Sequence, residues 1–171
     1  MKIIVGKISK EEVAKYYVKS EIGNGLCNDA VKDFDTGDID GMDKITLENL
    51  VKALSKCRGN NIHEVIYQLA GNFSLCEWKS SELTLTDVNS NVLAELSKVK
   101  NELESFAEVV KSTDLTFLEE FKDKGLVVEN TKLIIRKCPN VNGGRVIDGC
   151  HRAVVLYLRG SRTFEGYTFF G

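Results

Sequence analysis

Three observations predict an α+β fold with a helical N-terminal elaboration. Apolar residues recur at threes and fours over long stretches before Gly125, and from Thr131 the pattern turns into short strand-like runs. A polar string, DGCHR at 148–152, then separates a strand pattern from a strongly apolar helical one. With 171 residues, 43% of them apolar, the chain can bury one core, so residues 1–171 are expected to form a single domain. Within it, 20–110 should be the largely helical elaboration and 115–171 the motif-bearing core.

KIIVG at 2–6 reads as a strand. The following SKEEVAKYYVKSEIG reads as a helix, with Ser9 as N-cap, Glu12 completing a capping box and Gly23 or Gly25 as its stop. DAVKDFDTGDIDGMDKITLENLVKAL is an acidic turn flanked by helical patterns, with Thr46 placed to cap a helix carrying Leu47, Leu50, Val51 and Leu54. His63 to Gly71 continues in a helical sense.

From Asn91 to Lys111, Val92, Leu96, Val99, Leu103, Phe106 and Val110 mark a helix with one buried face. LTFLEEFKDKG gives another, with Thr116 and Glu119 as capping box and Gly125 as stop. TKLIIRKC (131–138) and RVID then form two strands of a hairpin, with Pro139 in the turn and Asn142, Gly143 and Gly144 supplying positive φ. CHRAVVLYLRG turns helical and ends at Gly160, and RTFEGYTFFG reads as a closing strand.

The formal net charge of −2 hides a division. Residues 1–131 carry 16 basic and 23 acidic side chains, whereas 132–171 carry 7 basic and 2 acidic ones. A local positive field at the C-terminal end favours an anionic ligand, while the whole chain lacks the basic excess of a non-specific nucleic-acid binder. The N-terminus is too charged for a signal peptide and no apolar run is long enough to span a bilayer, so a cytoplasmic protein without membrane contact is expected. Five cysteines with no CxxC pair point to reduced thiols, and His63 and His151 stand at no zinc-ligand spacing.

The DGCHR string falls at a helix N-terminus, where unpaired backbone N–H groups and the helix dipole together favour an anion. Gly149 lets a phosphate approach the backbone, Arg152 offers a fork of donors, and His151 can donate as well. Cys150, beside Arg152 at that terminus, should have a lowered thiol pKa that suits a nucleophile. Asp148 can cap the helix, hold a metal ion or take a proton. AVVLYL is apolar nearly all round and should be buried, which would hold the site rigidly.

In its order of strand, DGCHR and apolar helix, the C-terminal part resembles the ParB/sulfiredoxin superfamily, whose D-G-x-H-R signature is shared by free serine kinases and ParB-type partition proteins. The likeness covers roughly the last 55 residues, and GCHR alone matches the sulfiredoxin motif. It implies a ParB/sulfiredoxin-like fold and a nucleotide or phosphate site at Gly149, Cys150, His151 and Arg152. The kinase branch implies ATP or ADP with Mg2+, Asp148 as base or metal ligand, and phosphoryl transfer to an acceptor the sequence does not identify. Two alternatives stay open. One is a ParB-like regulator that binds nucleotide or DNA, although no helix-turn-helix with a basic second helix is visible; the other is a sulfiredoxin-like reductase acting through Cys150.

Three further features favour structural roles. TGDIDGMDKITLE places Asp38 and Asp40 at EF-hand positions three and five but Thr36 at one and Leu47 at twelve, so a solvated acidic turn is expected. His63 beside Ile62 and Val65 reads as structural, and Trp78 as packing.

Overall fold

Residues 2–24, 27–69, 77–84, 132–137, 144–149, 153 and 163–170 are described by a computed structural model. The predicted helices at 91–111 and 117–125 and the hairpin turn lie outside the described residues, as do all but Ala153 of the helix after DGCHR.

β1 (Lys2–Ile8) leads into α1 (Lys10–Asn24). Ser9 caps α1 by accepting the Glu12 N–H at 3.1 Å. The Glu12 carboxylate does not return to Ser9 in a capping box. It accepts from the Tyr167 hydroxyl at 3.2 Å instead, and so ties the first turn of α1 to the sheet. Two single-turn helices follow, α2 (Asn28–Val31) and α3 (Asp38–Gly41).

α4 (Lys44–Arg58) starts earlier than Thr46 predicts, because Asp43 is the N-cap. Its Oδ1 accepts the Ile45 and Thr46 N–H groups at 3.0 Å, and the Thr46 hydroxyl donates to its Oδ2 at 2.6 Å. A carboxylate takes two of the orphan amides at once, and Thr46 is left to orient it. At the other end Gly59 adopts φ 63°, and Asn60 N–H reaches back to the Ser55 carbonyl, a Schellman closure in which the left-handed residue is glycine. Glu64–Leu69 then forms a π-helix, a wider turn than the α-helix the pattern suggests.

The sheet has five strands in the order β1-β2-β5-β3-β4, with β2 at Glu77–Thr84, β3 at Leu133–Lys137, β4 at Gly144–Asp148 and β5 at Thr163–Phe170. β3 runs parallel to β5 and every other neighbouring pair is antiparallel, so the fold is mixed α+β with a mixed sheet. The expected β3–β4 hairpin pairing is present, although Gly144 opens β4 rather than serving the turn. β5 closes the fold from the middle of the sheet, between β2 and β3.

Burial explains this order. On β3, Leu133, Ile134 and Ile135 are all fully or almost fully buried, the continuous apolar run of a strand covered on both faces. Ile134, Tyr167 and Phe169 face the helices and join Val13, Tyr17 and Val18 of α1 and Leu47, Val51 and Leu54 of α4 in one core. Tyr16 stacks edge-on against Tyr167 with ring centres 5.4 Å apart, and its hydroxyl donates to the Lys132 carbonyl at 2.8 Å.

A disulfide joins Cys27 to Cys57, linking the segment before α2 to the last turn of α4. This corrects the expectation of free thiols for these two residues: α2 packs beside α4, and the two α-carbons stand 6.3 Å apart, within bridging range. Among the described residues, no helix is long and apolar enough to cross a membrane.

Candidate functional site

β4 carries the motif aspartate to one edge of the sheet. Ile134 of β3 pairs with Asp148 and Ile135 with Val146, which leaves Ile147 as an extra residue in β4. Such a bulge bends the strand and re-aims the residue that follows it. Asp148, the last residue of β4, is the one re-aimed. Gly149 then takes φ 95°, a conformation that L side chains rarely adopt. Its carbonyl accepts the Ala153 N–H at 2.9 Å, an i to i+4 bond of the kind that opens a helix, and Ala153 is fully buried. Strand, glycine and helical residue therefore follow one another in the order the string predicts. Cys150, His151 and Arg152, the predicted anion ligands, lie outside the described residues.

A buried polar layer from α1 and α4 lies near the end of β4. Tyr17, with no exposure, accepts from Asn60 Nδ2 at 3.2 Å. Burial pushes its phenol well above the ordinary range, and the charges of Glu21 and Asp148 add to the effect against the Asn60 hydrogen bond. The phenol is held neutral. The carboxylate of Glu21, fully buried, stands 3.2 Å from the Arg58 Nε. Asn60 is locked in place: its Oδ1 accepts from the Ser55 hydroxyl at 3.0 Å and the Ile62 N–H at 3.2 Å.

Two cavities of similar size adjoin these elements. One, of about 350 Å3, is lined by Gly59, Asn60, Asn61, Val146 and Ile147, and so ends one residue before Asp148. The other, also about 350 Å3, lies between α1, Asp40 of α3 and Tyr167, where charged groups already pair: Lys19 with Asp40 at 2.7 Å, and Glu12 with the Tyr167 hydroxyl. Burial, together with the Glu12 charge, raises the Tyr167 phenol as well, which keeps it a donor.

The acidic turn serves the backbone. Asp35 Oδ1 accepts the Gly37 and Asp38 N–H groups at 2.7 and 3.0 Å, and Asp38 Oδ2 accepts the Asp35 N–H at 2.8 Å. A turn bond thus occupies Asp38, and Lys19 pairs with Asp40, the two carboxylates that the EF-hand alignment would have turned toward calcium. Among the described residues, no group of three or more His, Cys, Asp or Glu could hold a metal ion. His63 is buried, with Nε2 3.6 Å from Glu48 and its ring 5.4 Å from that of Tyr67, a packed position rather than an open one.

Sequence reasoning reached Asp148 and Gly149 but missed Tyr17, Glu21, Ser55, Arg58, Asn60 and Asn61. The string RGNN after a helical pattern is a legible stop signal, with glycine at the left-handed position. That this stop faces β4 depends on pairings across more than 80 residues, which no local pattern reports. No family model, no curated protein and no solved structure matches the chain.

Proposed function

We propose that the chain is a nucleotide-binding phosphotransferase or ATPase of the ParB/sulfiredoxin type, acting on ATP or ADP with Mg2+. The observation that carries the reading is the turn at Asp148–Gly149. A bulged strand ends on a carboxylate, a positive-φ glycine follows, and the Gly149 carbonyl takes the Ala153 N–H. In such a turn the backbone can approach a phosphate without a Cβ in the way, and a helix start supplies N–H donors.

Arg152 and His151 would neutralise and orient the phosphate oxygens, and Cys150 would line the same turn. A hard oxygen ligand such as Asp148 suits Mg2+, which keeps most of its shell as water and phosphate oxygen and needs few protein ligands. Mg2+ would supply charge neutralisation at the transferring phosphoryl group. The chain's own task is then positioning: Asp148 orients the attacking hydroxyl or water or accepts its proton, and donors at the turn hold the leaving phosphate.

The test is titration of the full chain with ATP and ADP, with and without Mg2+, for wild type and Arg152→Ala, followed by turnover in Asp148→Asn and Cys150→Ser. Saturable binding lost in Arg152→Ala, with turnover lost in Asp148→Asn and retained in Cys150→Ser, is expected. Loss in Cys150→Ser with activity kept in Asp148→Asn would replace this reading with a thiol-dependent reductase.

A further inference from the structure

The cavity beside β4 differs in chemistry from the motif it adjoins. Its apolar wall is Ile147, which packs on the helix side of the sheet, while Val146, paired with Ile135, turns its side chain to the other face; its opposite wall is the Gly59–Asn60–Asn61 turn, and no ionisable side chain lines it among the described residues. An anion belongs at the turn after Asp148; a neutral group belongs here.

The wall that faces β4 is fixed. Asn60 cannot turn toward a ligand, because its carboxamide is spent on Tyr17, Ser55 and Ile62. Asn61 is anchored by its backbone, whose carbonyl accepts the Val65 N–H at 3.1 Å. Among the described residues, no hydrogen bond engages its half-buried carboxamide. A donor and an acceptor thus stand side by side on a rigid turn, across from the branched aliphatic side chain of Ile147. That combination suits a planar heterocycle whose edge carries an acceptor next to a donor, as adenine and cytosine do, with its face on the apolar wall. At about 350 Å3 the space lies within the range of small-ligand sites. Ile147 and Gly149 are two residues apart in the chain, so even a fully extended backbone would separate them by no more than about 7 Å, a span that a ribose can bridge.

We infer that this cavity takes the nucleobase of the ligand, with Asn61 as the residue that reads the base edge. The inference rests on the nucleotide reading above and supplies the half of the site that DGCHR does not contain.

The test compares Mg2+–ATP with Mg2+–tripolyphosphate by isothermal titration, and adenosine without phosphate by ligand-observed NMR, in wild type, Asn61→Ala and Asn61→Asp. Thermal melts establish that each variant is folded. Wild type should bind ATP about tenfold or more tighter than tripolyphosphate, the order of magnitude of one bidentate carboxamide contact. Asn61→Ala should erase most of that excess and leave tripolyphosphate unchanged, and adenosine should bind in an Asn61-dependent way. Equal affinity for ATP and tripolyphosphate, an excess that survives Asn61→Ala, or an absence of adenosine binding overturns the inference while leaving a phosphate site standing. Adenosine binding without tripolyphosphate binding does the reverse: the cavity holds and the anion site at Gly149 falls.

Discussion

Arg58 Nε lies 3.2 Å from Oε2 of Glu21, a carboxylate with no solvent exposure. The pair joins the end of α4 to the end of α1 beneath the turn that faces β4. Arg58 is partly exposed while Glu21 is buried, so removing Arg58 leaves a buried carboxylate without its cation. Arg58→Ala should therefore destabilise the protein by about 1–3 kcal/mol. The exposed pair between Lys19 and Asp40 provides the contrast, since Lys19→Ala should change stability by less than about 1 kcal/mol. Urea unfolding of the two variants decides it, and similar midpoints would show that Arg58 does not compensate Glu21.

The Cys27–Cys57 bridge closes a loop of 30 residues in sequence. Constraining a loop of that length in the unfolded chain stabilises the fold by about 3–4 kcal/mol. Cys27→Ser/Cys57→Ser should lower the unfolding free energy by that amount, and dithiothreitol should lower wild type to the same value while leaving the double variant unmoved. A wild-type midpoint indifferent to the reductant would show that the bridge is absent in solution.

How much of this was legible in the sequence follows from where the information lies. β1, α1, β3, β4 and β5 were readable because period and punctuation are local: Ser9 and the apolar run at 133–135 announce their own elements. β2 was not. EWKSSELT has little alternation, and its strand state comes from pairing with β1 and β5, which flank it on both sides. The motif turn was legible for the same local reason as the helices, since glycine after a strand and before an apolar run states a backbone requirement. The polar layer behind it joins Tyr17 to Asn60 and Glu21 to Arg58, contacts made by tertiary packing alone.

Two glycines should resist substitution for different reasons. At Gly166, in the middle of β5, an added Cβ would lie 2.8 Å from Leu83 Cδ1 and 3.0 Å from the Leu133 carbonyl oxygen. The leucine methyl can move, but the β3 backbone cannot, so Gly166→Ala should cost about 1–3 kcal/mol through overpacking. Gly149 at φ 95° has a conformational cost instead, of about 1–3 kcal/mol for alanine. Gly149→Ala should in addition weaken ATP binding if the backbone there contacts phosphate, whereas Gly166→Ala should lower stability and leave the affinity of the folded protein unchanged. Chemical unfolding paired with ATP titration separates the two, and equal effects on affinity would remove Gly149 from the site.

Asp43 gives α4 a pH dependence whose sign is fixed by its hydrogen bonds. The Thr46 hydroxyl donates to its carboxylate, as do the Thr46 and Ile45 N–H groups, and together they hold its pKa below the usual aspartate value. A carboxyl with a depressed folded pKa stabilises the fold above its unfolded value of about 3.9, and that contribution disappears as pH falls through the folded pKa. Asp40 is depressed in the same direction, first by its bond from Lys19, and would titrate in the same acidic window. Asp43→Asn isolates the cap, because asparagine still accepts a backbone N–H but carries no proton to gain. Wild type should be the more stable of the two near neutral pH, and the difference between their melting temperatures should shrink as the pH is lowered below about 4. A difference that stays constant from neutral pH to pH of about 2.5 would mean that protonation of Asp43 is not linked to folding.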